Sequence, residues 1–284
     1  MSDRCANVSR MTAYHAQPGA PVWIDLMTSD VEAAVQFYGA VFGWEADPAG
    51  PDFGGYRNFR VNGNLVAGLM APEDGGEGPG DVWSTYLRTD DAEATLAAAA
   101  DAGASIIVPA SDVGDLGRFG FFVDPVGAAI GVWQPGTHPG FVERGVPGTP
   151  YWFDCMSRSY DASGAFYRTV FDWTLHEIGS GGKEGSFGPD RYSQVLVGPE
   201  GAQDGVAGIM DAAPLFESGV FGEATPSFWQ VYLTVEDTAA AERRIVDAGG
   251  EILRAAEVTP WATMGSAKDP GGAVFLYATP PEGR

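Results

Sequence analysis

Basic side chains, histidine and cysteine are all scarce in this chain. Sixteen Lys and Arg stand against 38 Asp and Glu, a formal net charge of −22. That field repels phosphate backbones and anionic membrane surfaces, so neither nucleic acid nor membrane is expected as a partner. Cys5 lies in an N-terminal stretch and Cys155 in an apolar one. The pair is no disulfide framework, and both read as reduced thiols. No Gly-x-Ser-x-Gly elbow is present and neither cysteine has an adjacent histidine, which removes the serine-hydrolase and thiol-protease readings. No stretch approaches ~18 uninterrupted apolar residues, and the first 21 residues contain no apolar run of signal-peptide length. A cytoplasmic location is the expectation. The Gly-rich segments EDGGEGPGD and GSGGKEGSFGPDR do not join a strand to a helix with phosphate-cradling spacing, so they read as loops and no nucleotide site is implied.

What the chain does have is a globular composition, 45% hydrophobic and 12% aromatic over 284 residues. That length is enough for two domains with two cores. Its organising feature is an internal repeat. PVWIDLMTSDVEAAVQFYGAVFGW, from Pro21, lies without a gap over PYWFDCMSRSYDASGAFYRTVFDW, from Pro150, matching Trp23 with Trp152, Asp25 with Asp154 and Trp44 with Trp173. A second pair of stretches opens at Val82 and Phe228 and ends in Asp124-Pro125 and Asp269-Pro270. A period this long signals duplicated domains rather than a solenoid. The segment from Pro135 to Pro150, rich in Gly and Pro, suits a linker. The expected division is a flexible tail over 1–19, one domain over 20–144 and a second over 145–284.

Within each module a strand precedes a helix. Trp23 to Met27 reads as a strand, and Val31, Ala34, Val35, Tyr38 and Phe42 follow at helical spacing. Ser29 with Glu32 forms a capping-box start, and Gly43 a stop. Trp83 to Thr89 is a second strand, Asp91 to Asp101 a helix, and short Gly-bounded strands follow both helices. The fold class is therefore α+β: two tandem domains, each of two paired βαβββ modules forming a curved mixed sheet, with one face on its helices and a concave cleft on the other.

The openings TSDVEAAVQFYGAVFGW and TDDAEATLAAAADAGA, with the endings RFGFFVDPVGAAIGVWQP and AKDPGGAVFLYATP, resemble the vicinal oxygen chelate superfamily of glyoxalase I, extradiol dioxygenases and bleomycin-resistance proteins. The likeness covers roughly residues 20 to 280. WIDLMTSD, WQPGTHPGFVERGVPG and the duplication are similar to the actinobacterial tandem glyoxalase-like proteins labelled hydroxylases beside aromatic polyketide pathways. In metal-using members a His opens each module and a Glu ends its last strand. The corresponding positions here are Trp23, Ser84, Gly131, Trp152, Gln230 and Leu276. His15, His138 and His176 all fall off the predicted cleft strands. No metal ligands and no cofactor are expected.

Alternation along the strands sends Ile24, Leu26 and Thr28 to the helix and leaves Trp23, Asp25 and Met27 facing the cleft. Ser84 and Tyr86, then Trp152, Asp154 and Met156, then Gln230 and Tyr232 follow the same rule. Asp25 and Asp154 stand in apolar strands, where a carboxylate titrates upward unless neighbours satisfy it. They are the candidate bases, with Tyr86 and Tyr232 as hydrogen-bond donors. The equally simple alternative is that both carboxylates are satisfied structural groups. Trp23, Met27, Ser84, Arg118, Trp133, Trp152, Met156 and Gln230 are the candidate ligand contacts, Arg118 as a clamp for an anionic oxygen and the tryptophans as stacking surfaces.

The function expected is that of a metal-independent protein of specialised metabolism. It binds a small apolar, aromatic, polyketide-like molecule and transforms it by proton transfer, by isomerisation or cyclisation, or by assisting a pathway oxygenase in hydroxylation. The alternatives are a sequestering, drug-binding protein and a glyoxalase-like lyase. Ligand identity, the working cleft and oligomeric state stay open.

Overall fold

The protein is described by a computed structural model covering residues 14–50, 54–72, 80–178, 191–198, 205–222 and 224–281. Cys5 and nearly all of the two Gly-rich segments lie outside the described residues. The first half runs β1 (Pro21–Met27), α1 (Val31–Phe42), β2 (Glu45–Ala46), β3 (Arg57–Val61), β4 (Asn64–Met70), then β5 (Val82–Arg88), α2 (Ala92–Asp101), β6 (Ser105–Val113), β7 (Gly117–Val123) and β8 (Ala129–Pro135). The second half repeats this order with β9 (Pro150–Ser157), α3 (Tyr160–Phe171), β10 (Thr174–Glu177), β11 (Tyr192–Leu196) and β12 (Ala207–Asp211). A short α4 (Ala213–Glu217) is added before β13 (Phe228–Thr234), α5 (Thr238–Asp247), β14 (Glu251–Val258), β15 (Thr263–Lys268) and β16 (Val274–Thr279).

Each half forms one eight-stranded mixed sheet, ordered β2-β3-β4-β1-β5-β8-β7-β6 and β10-β11-β12-β9-β13-β16-β15-β14. The first strands of the two modules meet antiparallel at the centre, β1 with β5 and β9 with β13, and each is parallel to the last strand of its own module. The architecture is α+β with two tandem domains of paired modules, as the repeat implied.

Two local expectations change. Helix α1 is capped by Asp30, whose Oδ1 accepts the Ala33 N–H at 3.0 Å, rather than by Ser29. The Ser29 N–H is instead bound by the Asp81 carboxylate at 2.9 Å, which ties the helix entry to the second module. Gly43 ends the helix in the left-handed conformation, φ 73°. Nor are there two separate cores. One apolar cluster runs through both halves, with a small satellite of Met156, Ala212 and Phe216.

The shared core follows from how the duplicated motifs are used. α1 packs on α5 and α2 on α3, so each half lays its helices on the other's. Tyr38 Oη donates to Asp269 Oδ2 at 3.0 Å and Tyr167 Oη to Asp124 Oδ2 at 3.0 Å, both buried. Trp83 and Trp229 donate into the same two phenol oxygens at 2.9 Å. Asp124 Oδ1 also accepts the backbone N–H groups of Val126 and Ala128, and Asp269 Oδ1 those of Gly272 and Ala273. Each Asp-Pro turn is thereby fastened to the opposite half's first helix. Trp44 and Trp173 add reciprocal bonds to Gly148 O (2.6 Å) and Gly19 O (2.9 Å). The tyrosines and tryptophans that identify the repeat are thus the residues that join its copies.

Candidate functional site

On the face of the first sheet turned away from its helices, strand register sets Asn58, Gly68, Asp25 and Ser84 in one row. Trp23, Tyr86, Gly131 and Phe121 form the next. The second sheet repeats these rows as Gln194, Gly208, Asp154 and Gln230, then Trp152, Tyr232, Leu276 and Ser266.

Each aspartate sits inside an aromatic cage. Tyr56 Oη donates to Asp25 Oδ1 at 2.5 Å and Trp23 Nε1 donates to Tyr56 Oη at 2.8 Å, while the Tyr86 hydroxyl lies near enough to help hold the Asp25 carboxyl down. Asp154 receives Tyr232 at 2.6 Å on Oδ2, and Tyr192 at 2.8 Å and Trp152 Nε1 at 3.0 Å on Oδ1. The structure brings together Asp25 with Tyr86 and Asp154 with Tyr232, and adds Tyr56 and Tyr192. The signal for these two is in the repeat: GYRNFRV and RYSQVLV place a tyrosine at the same point of both halves.

Glycine makes the cages possible. A methyl group at Gly68 would collide with the Tyr56 hydroxyl and the Asp25 carboxylate, and one at Gly208 with Tyr192 and Asp154. Burial pushes both carboxyls above their ordinary range while the phenol and indole donors pull them back. Burial, then the adjacent carboxylate, holds Tyr56, Tyr86, Tyr192 and Tyr232 well above the usual phenol value. All four therefore stay protonated donors.

The remaining candidates divide. Met27 and Ser84 line the first cleft, half-buried. Met156 and Gln230 are buried in the second, and Gln230 Nε2 bonds the backbone carbonyl of Val231 at 3.2 Å. Trp133 shares the cleft face with Gly131 and donates from Nε1 to His138 O at 3.0 Å. Arg118 is not in the cleft. It pairs in register with Gln134, on the opposite face, and forms an ion pair with Asp112 at 2.7 Å. There it lines a surface cavity of about 420 Å³ with Asp90, Asp91 and Glu93. The strand begins at Gly117, so Arg118 lies within it rather than ahead of FGFFV, and on the face away from the expected ligand.

The linker supplies a residue that strand counting missed. The His138 ring lies edge-on against Trp23, centroids 4.6 Å apart, and against Trp133 at 5.6 Å. Asn58 Oδ1, in the Asp25 row, is buried without a hydrogen-bond partner among the described residues. A family-type divalent metal does not fit this lining. Gly131 is covered by the Tyr86 ring, the Asp25 and Asp154 carboxyls are taken up by phenol and indole donors, and no three His, Cys, Asp or Glu converge among the described residues.

A mixed sheet of paired βαβββ modules, duplicated in tandem, defines a protein class, and the sequence profile agrees with it. The profile of the Glyoxalase/Bleomycin resistance protein/Dioxygenase superfamily matches residues 20–132 and 152–277, and the chain belongs to that superfamily. Among characterised sequences it is similar to the anthracycline biosynthesis protein DnrV of Streptomyces peucetius, 33% identical over 281 residues, covering 94% of this chain and 95% of DnrV. It is also similar to CFP32 of Mycobacterium tuberculosis, whose glyoxylase label is provisional, at 32% identity over 92% of this chain and 95% of that one. Of solved structures, the Mn(II)-bound glyoxalase of Novosphingobium aromaticivorans superposes with a TM-score of 0.61 at 16% identity, covering 93% of this chain and 82% of that one. The 2,3-dioxygenase LapB of Pseudomonas sp. KL28 superposes with 0.60 at 12% identity, covering 93% of each. At those identities the structural likeness speaks for the fold alone. No helix among the described residues is long and apolar enough to cross a membrane.

Proposed function

We propose that this chain is a metal-independent, cytoplasmic protein of specialised metabolism that binds a small, apolar, aromatic, polyketide-like molecule and transforms it by proton transfer in the first cleft. The observation that carries this reading is the pairing of Tyr86 with Asp25. Tyr86 stands one register position from Asp25 on the cleft face, its counterpart Tyr232 donates to Asp154 at 2.6 Å, and among the described residues no donor occupies the Tyr86 oxygen. A ligand hydroxyl or acidic C–H can give its proton to that oxygen while Tyr86 gives its own to Asp25. One ligand bond to hydrogen breaks, one Asp O–H forms, and the ligand becomes a phenolate or enolate. The raised carboxyl of Asp25 suits it to hold that proton. Such an anion is primed for isomerisation or cyclisation, or for hydroxylation by a separate oxygenase. The role of DnrV in anthracycline biosynthesis supports a planar, polycyclic ligand.

A binding protein that only sequesters such a compound is the second reading, favoured by the fully enclosed Asp154 cage. Deuterium uptake at the acidic carbon of anthrone in D2O separates the two. Proton transfer predicts uptake accelerated by the protein and reduced at least about 100-fold by Asp25→Asn or Tyr86→Phe, with affinity within a few-fold. Saturable binding without accelerated uptake supports sequestration and refutes the enzymatic reading.

A further inference from the structure

The linker residue His138 is anchored by three hydrogen bonds. Its backbone N–H bonds Leu116 O at 3.1 Å, its carbonyl accepts Trp133 Nε1 at 3.0 Å, and its Nδ1 accepts the Gly140 N–H at 3.2 Å. An Nδ1 that accepts leaves the ring proton on Nε2. Burial between two indoles, with the Arg60 charge nearby, holds the imidazole below its ordinary value and therefore uncharged near neutrality. Both neighbouring indoles have spent their own donors, Trp23 on Tyr56 and Trp133 on the His138 carbonyl. Nε2–H is thus an uncommitted donor among the described residues. It lies beside Trp23, which is paired in register with Tyr86. Among the described residues the second half has no imidazole in this place: at the matching Trp152 the linker instead places the Arg144 guanidinium, 5.6 Å from the ring centroid.

We propose that His138 is a specificity-determining hydrogen-bond donor of the first cleft, selecting planar aromatic ligands that carry a ring carbonyl in addition to the hydroxyl that meets Tyr86. A fixed, uncharged N–H matches a carbonyl oxygen rather than an anionic group, and a net charge of −22 disfavours anions in any case. A site built to satisfy a polar group favours the ligand that carries it, because the half-buried donor is paired by that ligand and loses its partner when the analogue covers it. The inference rests on the ligand class proposed above, but it concerns recognition and not turnover.

The test compares 1-hydroxyanthraquinone with 1-hydroxyanthracene, which has no carbonyl, by calorimetry on the full chain and on His138→Phe and His138→Gln. The unmodified protein should prefer the quinone by about ten-fold or more. His138→Phe, which keeps a ring in the slot, should abolish the preference by weakening the quinone alone, and His138→Gln, which restores a donor, should recover most of it. A purely structural role would move thermal stability and both affinities together. An unchanged preference in His138→Phe, or none in the unmodified protein, overturns the proposal while leaving the proton-transfer reading standing. Failure to bind either compound overturns both.

Discussion

Removing a single buried hydroxyl tests whether the two halves are one folding unit. Tyr167→Phe keeps the ring among Phe166, Trp173 and Trp229 but deletes the oxygen between Trp229 Nε1 at 2.9 Å and Asp124 Oδ2 at 3.0 Å. Asp124 keeps two backbone donors on Oδ1, at 2.8 and 2.9 Å, so its carboxyl is weakened rather than orphaned. The indole N–H is orphaned. A stranded buried donor costs about 1–3 kcal/mol and a lost bond to a carboxylate adds a comparable amount, so a total of about 2–4 kcal/mol is expected. For a chain of this size that lowers the melting temperature by roughly 5–15 °C. Tyr38→Phe, facing Trp83 and Asp269, should behave alike. The two latches share no partner, so the double variant should be additive within about 0.5 kcal/mol. Urea unfolding read by both fluorescence and circular dichroism measures this. Single variants costing under about 0.5 kcal/mol, or unmodified protein unfolding in two separated steps, would show that the latches do not join the halves.

Three further outcomes follow from the cages and the lining. Because the Asp154 carboxyl is raised in the folded protein, its contribution to stability grows as pH falls from above the raised value toward the ordinary 3.8, and is lost as pH rises. Relative to Asp154→Asn, the unmodified protein should therefore gain stability on acidification, measured by urea unfolding between about pH 4 and 7; parallel curves contradict this. Elemental analysis of the purified protein should find no stoichiometric transition metal, whereas one equivalent of zinc, nickel or iron, lost together with function on chelation, refutes the metal-independent reading. Planar hydrophobic compounds should raise the melting temperature and glutathione adducts should not; the reverse preference restores the glyoxalase alternative.

Legibility tracked how local each signal is. Period-two alternation is a property of single strands, and it put Asp25, Tyr86, Asp154 and Tyr232 on the cleft face from sequence alone. The Asp-Pro turns and paired aromatics were recognised as repeat markers, yet their use as latches between halves depends on which helix lies against which, and spacing does not encode that. Arg118 misled because β7 carries Phe119 and Phe121 toward the cleft, so the residue before Phe119 must face the helix side. Ser29 satisfied the local capping rule but lost to Asp30 once Asp81, far away in sequence, took up its N–H. His138 was invisible because a linker has no periodicity to say which way a side chain turns.

Duplication gave the chain two cages, and their surroundings then diverged. In the second half Tyr232 and Gln230 are almost fully buried, Leu276 stands where the first half has Gly131, and α4 lays Phe216 over the Met156 end of the cleft. Phe216 packs with Phe221 and Phe228 while the Arg158 guanidinium lies 4.0 Å from its ring centroid. Arg144, bonded to the carbonyls of Tyr151 and Val206, closes the Trp152 end. A carboxylate enclosed in this way is held by its neighbours and has no open side from which to exchange a proton. In the first half Ser84 and Tyr86 remain half-exposed, and the linker contributes a neutral imidazole rather than a guanidinium. On the reading proposed above, the same Asp–Tyr–Tyr–Trp arrangement serves as a structural rivet in the second half and as the reactive group in the first, where Tyr86 is less buried than Tyr232.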